Sequence, residues 1–597
     1  MRGNTRALAA AATIPLLLAA ACSTAEKQPT GTNNSSGAGR AATMCPAGGQ
    51  LTDLYKRPKV AQSGNITAAV EEAVHDYNNN TSTANNFANS LLSLAEPSAF
   101  MIDSNLGVCP DGDLLTSVEQ TSADPLTIVY KIRPEAVWSD GTPVSCKDFY
   151  LPWLAANSKA KGSGGTLAFD PVTVTGYDQM KAPACSDNGK TVTTTFTKPF
   201  GDWKKLFTTM VPAHVIEQAA GGTEVTTITP DDTSAKATSF ASAYIKKFTG
   251  FDAAADLSAG PYLLKSRTDE QSVLVRNDKW WGEKGGPDTI TIVTNPDGQS
   301  EVQSLQNQEV QIIQPQPDAG LAQQLRSASG VKFNATAGLT YEHIDFQMKL
   351  PLFQGDTGKA LREAVFLCVD RTDIITKLVK AVNPDTAPLG NFMFMPNEKG
   401  YADHYADFNT ANIDKAKQVM EGAGWKLGSD GVYEVNGKKA TFRLGHKVID
   451  NRERIAQLVG ASCGKAGIKI TDDQDAEFNA KRLPAGDFDA ALFAWVGTPF
   501  KSDNTPNYTT DGGGNYNGYS NKEVDALFQT ANTATEDEKR NEALNKIDEL
   551  MAADKHSLPL YQFADMMAQR DTITPALSYD GVFGGVFWNA YEWSTTG

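Results

Sequence analysis

The chain has 597 residues, 41% hydrophobic and 21% charged, with a formal net charge of -16. That composition supplies several hydrophobic cores, points to two or three domains, and excludes a disordered chain. The acid excess excludes a general nucleic-acid binder, which needs clustered Lys and Arg for phosphate, and no second long apolar span follows the N-terminus to cross a membrane.

Residues 1–21 read as a sorting signal: Arg2 and Arg6 give a positive start, 7–18 an apolar core too short to span a bilayer, and Ala19, Ala20 and Ala21 a small-residue site before Cys22. This resembles a bacterial lipoprotein signal, which implies lipidation of Cys22, with Ala19 standing where such signals usually carry Leu. An ordinary secretion signal cut near Ala21 is the alternative. Residues 22–48 are rich in Ser, Thr, Gly and Asn and read as a flexible tether, so the folded body is expected outside the cytoplasm, held to the cell membrane by lipid alone.

Seven cysteines are present, and setting Cys22 aside leaves an even number suited to an oxidising compartment. The expected pairs are Cys45 with Cys109, Cys146 with Cys185, and Cys368 with Cys463. The last has a physical basis: Leu361, Ala364, Val365 and Cys368 share one helical stripe, as do Ile455, Leu458, Val459 and Cys463, so both sulfurs should face an apolar interior where two helices meet. Two buried free thiols are the alternative there.

In the body, 66–77 reads as amphipathic or extended and leads into Asn78, Asn79, Asn80, Thr81, Ser82, Thr83, Asn85 and Asn86. Such a set is either a solvated turn or a polar ligand wall, since Asn offers both donor and acceptor. Residues 126–133 alternate as a strand, Asp140-Gly141 makes a turn, and Ser145 with Asp148 has capping-box spacing for a helix through Phe149 and Trp153. Strand-like runs at 272–276, 289–294 and 310–313 alternate with helical ones up to about Val331, and a second α/β series begins near Tyr341. Further on, 490–496 fits one strand, ended by Gly497-Thr498-Pro499. Where it stops, Trp495 is followed by small, polar and acidic groups, among them Gly497, Thr498, Ser502 and Asp503, the mix expected of a cleft wall. A helix over 536–551 has Thr535 and Glu538 at capping-box spacing. The tail aromatics Phe583, Phe587, Trp588, Tyr591 and Trp593 read as core filling.

Catalytic readings find little support. Gly460-Ala461-Ser462-Cys463-Gly464 matches G-x-S-x-G but lies within the helical run 452–465 instead of at a strand-to-helix turn. The six histidines are scattered, none at metal-ligand spacing, and each reads as a surface or capping residue. Asp231-Asp232 and Asp472-Asp473 look like solvated loops, and no P-loop occurs. The expectation is a protein that is not an enzyme and carries no metal or cofactor.

Five sets of residues, in order, carry a family resemblance. They are Trp138-Ser139-Asp140-Gly141-Thr142-Pro143; Ala259-Gly260-Pro261-Tyr262 with Val275-Arg276-Asn277 and Trp280-Trp281-Gly282; Ala360-Leu361-Arg362-Glu363-Ala364 with Val369-Asp370-Arg371; a helix over 413–423 ending at Gly424-Trp425; and Gly518-Tyr519-Ser520-Asn521 with Val524-Asp525. Together they resemble the peptide/nickel class (family 5) of extracytoplasmic solute-binding proteins that serve ABC importers. The resemblance implies an α/β, two-lobed periplasmic-binding-protein-like fold of type II. It divides into a first lobe over 49–335 with a smaller subdomain at about 84–200, a second lobe over 336–560, and a return to the first lobe over 561–597.

It also implies a monomeric receptor that encloses an oligopeptide and presents it to ABC permease subunits. The peptide would run beside Ala494, Trp495, Val496 and Gly497, with Asn78, Asn79 and Asn80 as a polar wall. In the family's peptide binders an aspartate three residues after the tryptophan holds the free amine. Here that position is Thr498, leaving Asp503 as a possible surrogate. A receptor for an oligosaccharide or nickel chelate, and a sensor or scaffold lipoprotein with the same fold, stay open at this point.

Overall fold

The computed structural model describes Cys45 and residues 50–596 apart from 85–87, 105, 163–164, 576 and 579–584. The expected signal, Cys22, nearly all of the tether, Asn85, Asn86 and Phe583 lie outside the described residues. Ten strands build one mixed sheet: β1 (Ser63–Val70), β2 (Tyr262–Arg267), β3 (Gln271–Arg276), β4 (Pro287–Thr294), β5 (Ile312–Ile313), β6 (Val331–Phe346), β7 (Thr441–His446), β8 (Lys469–Gln474), β9 (Ala490–Trp495) and β10 (Ser557–Arg570). Their order across the sheet is β8-β7-β9-β6-β10-β5-β1-β4-β3-β2.

The two longest strands, β6 and β10, lie side by side in the middle and are antiparallel. They pair in two blocks, Val331 to Ala337 against Arg570 to Ala564 and Tyr341 to Asp345 against Gln562 to Ser557, with the register broken between Ala337 and Tyr341. At the break the Gln562 side chain donates to the Gly338 carbonyl (2.5 Å). β10 reads Ser-Leu-Pro-Leu-Tyr-Gln-Phe-Ala-Asp-Met-Met-Ala-Gln-Arg and is buried along most of its length, as expected of a strand covered on both faces. Pro559, which cannot donate to a ladder, sits opposite His343 where a second irregularity falls between Glu342 and His343.

Two large cores hang on this pair of strands, beside a smaller cluster on Ala564, Met566 and Ala568 of β10. One gathers Ile66 through Ile312 and then Met567 through Trp593, and the other gathers Leu339 through Tyr561. The chain therefore forms an α/β structure of two lobes, crossed by β6 on the way out and β10 on the way back. In the first lobe a four-stranded antiparallel sheet (Leu115–Ala123, Leu126–Ile132, Thr191–Thr195, Ala184–Ser186) packs near the helix Cys146–Asn157. Asp140-Gly141 does form a tight turn, with Gly141 N–H on the Trp138 carbonyl (2.7 Å) and Gly141 at φ +93°. The following helix opens on the expected reciprocal cap, Asp148 accepting from the Ser145 amide at 2.8 Å.

Cys45–Cys109, Cys146–Cys185 and Cys368–Cys463 are all joined, as expected. The tail aromatics Phe587, Tyr591 and Trp593 fill the first core. Three expectations need correction. The long helix Asp537–Asp554 has no Thr535/Glu538 capping box; its first turn is held instead by ion pairs from Lys539 to Glu536 (2.9 Å) and Arg540 to Asp537 (2.6 Å). His343, His446 and His556 are buried, because β6, β7 and the start of β10 are interior strands, and the rings of His343 and His556 pack among aromatics. Asp472-Asp473 lies on β8 instead of a loop, and the two acids pair with His446 (2.8 Å) and Arg482 (2.7 Å).

Cys368 and Cys463 are fully buried and close a separation of 95 residues inside the second core. Replacing both by Ser should lower stability by about 2–5 kcal/mol, read as an earlier second-lobe transition in urea. An unchanged midpoint would assign that lobe's stability to packing alone.

Candidate functional site

β9 is the strand nearest the break between the lobes. It pairs along its whole length with β6, Trp495 opposite Tyr341, whereas its ladder to β7 ends at Ala491. β7 stops at His446, whose carbonyl is taken by the Asp475 amide, so among the described residues no strand continues beside the last residues of β9. Gly497 extends the β6 side, its N–H on the Leu339 carbonyl at 3.2 Å, and a Cβ there would lie 2.5 Å from that oxygen. Since antiparallel hydrogen-bonded pairs recur every second residue, Phe493, Trp495 and Gly497 aim their backbone groups at β6. Ala494 and Val496 aim theirs the other way, where no partner is found among the described residues. Val496 is 55% exposed, and Trp495, half-buried, stacks on Tyr516 at 5.6 Å and meets Phe493 edge-on at 5.3 Å.

Beneath these rings His343 packs on Phe493 at 4.2 Å between centroids. Burial pushes its pKa down to about 3, with repulsion from His556 and Arg452 adding to that, so the ring is neutral. Asp345, 3.6 Å from His343, is pushed up to about 7 by burial.

Past Gly497 the loop crosses to the first lobe. Thr498 Oγ1 donates to Asp503 Oδ2 (2.7 Å), and Asp503 Oδ1 accepts the ammonium of Lys205, a residue 298 positions earlier. Asp202 takes the Ser502 amide (2.7 Å) and Arg540 (3.4 Å), and the Gly201 amide donates to Asn532 (2.7 Å). Lys501 is held by Glu398 at 2.6 Å. Residues 201–205 of one lobe are thus docked on 498–540 of the other.

Beside this contact lies a small cavity of about 50 Å³, walled by Arg57, Ser98, Met101, Lys204, Thr209 and Trp588 of the first lobe and Phe500 of the second. Arg57 stays charged there: burial opposes the charge, but Asp111 and Asp113 beside it outweigh burial. Lys204 is pushed down, mainly by burial. Phe207 and Thr209 hold φ of +60° and +44°, a strained choice for a bulky or β-branched residue and one found where a wall is fixed by its surroundings.

The predicted residues fall in two places. Trp495, Val496, Gly497, Thr498 and Asp503 come together around the end of β9, with Ala494 on its open edge. Asn78 is buried, its amide spent on the Tyr244 carbonyl (3.2 Å) and on Asn80, and Asn80 donates to the Thr209 carbonyl (2.9 Å). Asn79 lies between them, so this Asn set stands behind the cavity wall. Asp503 carries Lys205 in the place where it was expected to offer a free carboxylate. Sequence reading missed Lys205, Asp202 and Arg540, since no local pattern signals a pairing across some 300 positions, and Trp588, read there as core filling, lines the cavity. Ser462 of the G-x-S-x-G string lies inside the helix Asp450–Lys465, away from any strand-to-helix turn.

The profile of bacterial extracellular solute-binding proteins, family 5 Middle, matches residues 110–517. The chain belongs to that family. Its members are solute receptors, so this is a binding protein and not an enzyme. The oligopeptide-binding protein OppA of Mycobacterium tuberculosis is 27% identical over 488 residues, covering 80% of this chain and 76% of that one. An uncharacterized lipoprotein of the same organism is 24% identical over 519 residues, 81% of this chain and 86% of the relative. Among solved structures, the periplasmic EDTA-binding protein EppA superposes with a TM-score of 0.81 at 26% identity, over 92% of this chain and 99% of its own. The oligopeptide-binding protein AppA of Bacillus subtilis, in complex with a nonapeptide, shares the fold with a TM-score of 0.70 at 20% identity, over 90% and 100%.

A histidine held near pKa 3 in the fold and about 6.5 when unfolded adds stability above pH 6.5, and this is lost as the pH falls toward 3. His343→Phe should remove that dependence. Between pH 6 and 4 the wild type should lose about 1.4 kcal/mol per pH unit more than the variant in denaturant titrations. Parallel curves would show that His343 is charged or exposed in the fold.

Proposed function

We propose that this family 5 receptor captures oligopeptides outside the cytoplasm and delivers them to the permease subunits of an ABC importer. The observation that carries the reading is the half-paired β9: donors and acceptors of Ala494 and Val496 face an open edge at the junction of two lobes. An extended peptide completes such an edge through main-chain bonds that are indifferent to its side chains. Trp495 and Phe500 supply apolar surface at one end of that edge. The names of the oligopeptide-binding relative and the nonapeptide-bound neighbour support the same ligand class.

In this reading 49–335 and 336–560 move about the break in β6 and β10, 561–597 returns to the first lobe, and the ligand shifts the population toward closure. Residues 1–21 serve as the signal, Cys22 as the lipid anchor and 22–48 as the tether, with the mature receptor monomeric. The lipoprotein name of the second relative supports the anchor. A second reading, a chelate or other anionic solute, is favoured by the EDTA-binding neighbour and by Arg57 and Lys204 in the cavity wall.

Val496→Pro tests the first reading. It deletes an outward N–H without touching the ladder to β6, and Trp495 before it is already extended. Peptide affinity in calorimetric titration should fall by about three- to tenfold, the worth of one net hydrogen bond, with stability nearly unchanged. Peptide binding that ignores the substitution, or a wild type that binds only anionic chelates, would contradict it.

A further inference from the structure

The acids around the loop 498–504 are already matched with cations of the protein. Glu398 is taken by Lys501, and Asp202 by Arg540 and the Ser502 amide. Asp503, nearest the exit of β9, has one oxygen on Lys205 and the other on Thr498. The Lys205 side chain is only 10% exposed, against 32% for Asp503, and its neighbour Lys204 lines the adjoining cavity with Phe500. A ligand ammonium reaching Asp503 must displace Lys205 and strand a poorly solvated charge beside Lys204, a costly exchange. A ligand end without positive charge leaves the pair intact.

We propose that Lys205 is a specificity-determining residue: its ammonium occupies the position in which a ligand ammonium would pair with Asp503. The receptor therefore takes solutes whose Thr498 end carries no free amino group, such as N-blocked peptides, internal stretches of longer chains, or neutral and anionic solutes. The ion pair also joins the lobes, so the selection is exercised by the closed form. The ligand's placement along β9 rests on the reading given above; the occupancy of the ammonium position by Lys205 does not.

Two measurements on the mature protein separate these parts. In the first, ethylammonium chloride is added to wild type, Lys205→Ala and Lys205→Ala/Asp503→Asn, with matched sodium chloride as control. Only Lys205→Ala should gain, by a rise in unfolding midpoint of about 2 °C, because only it leaves an empty ammonium position beside a carboxylate. Equal responses from the single and double variants would overturn the proposal, whatever the natural ligand is. In the second, a peptide and its N-acetylated twin are titrated into wild type and Lys205→Ala. Wild type should bind the two within about threefold, and Lys205→Ala should favour the free amine by about tenfold, the scale of one charge-assisted bond. A wild type that already prefers the free amine tenfold, with no change in the variant, would also overturn it. Failure of both peptides to bind would sink the peptide reading, while the ethylammonium response still decides the role of Lys205.

Discussion

The hydrogen-bonded run of β6 against β10 is the constraint on which the rest of the molecule depends. Both strands pass through both lobes, so the sheet is continuous, and their pairing is interrupted between Ala337 and Tyr341. That interruption also sets the site: β9 is in register with the second-lobe half of β6, and its continuation at Gly497 reaches Leu339 inside the gap. Open backbone is therefore delivered at the place where the lobes face one another.

The contact between the lobes is electrostatic, with a cavity beside it. Lys205, Asp202 and Gly201 reach across to Asp503, Arg540 and Asn532, while Phe500 lines a cavity together with Met101 and Trp588. Exposed ion pairs contribute little, but these are partly shielded and clustered, and they carry geometry as well as energy. The cations that join the lobes are the protein's own. Under the proposed reading, selectivity falls on main-chain bonding along β9 and on the shape of the cavity.

Much of the fold was legible because its signals are local or periodic. The 138–143 string, the Ser145 cap, the helical stripes that bring Cys368 to Cys463 and the apolar run of β9 each read correctly from neighbouring residues. The site was legible only in part. Trp495 and Asp503 could be picked out by their distance from the strand end, but the partner that neutralises Asp503 is 298 residues away and lies in an unremarkable Trp-Lys-Lys stretch. The Asn78 to Asn80 run looked like a ligand wall because amides suit ligands; the same amides suit a buried backbone carbonyl, which is where two of them went. The burial of three histidines escaped notice for the opposite reason, since polarity suggested the surface and their partners on other elements, aromatic for His343 and His556 and Asp472 for His446, were invisible.

The central claim is that the outer edge of β9 is vacant backbone completed by the ligand. Residue-resolved amide hydrogen exchange tests it directly, comparing the protein alone with the protein saturated by a ligand retained through purification or drawn from a defined peptide mixture. Trp495 and Gly497, bonded to β6, should be protected in both states, and Ala494 and Val496 should gain protection of at least about tenfold only when ligand is bound. Unchanged exchange at Ala494 and Val496 in a protein shown to be saturated would contradict the account and place the ligand elsewhere between the lobes.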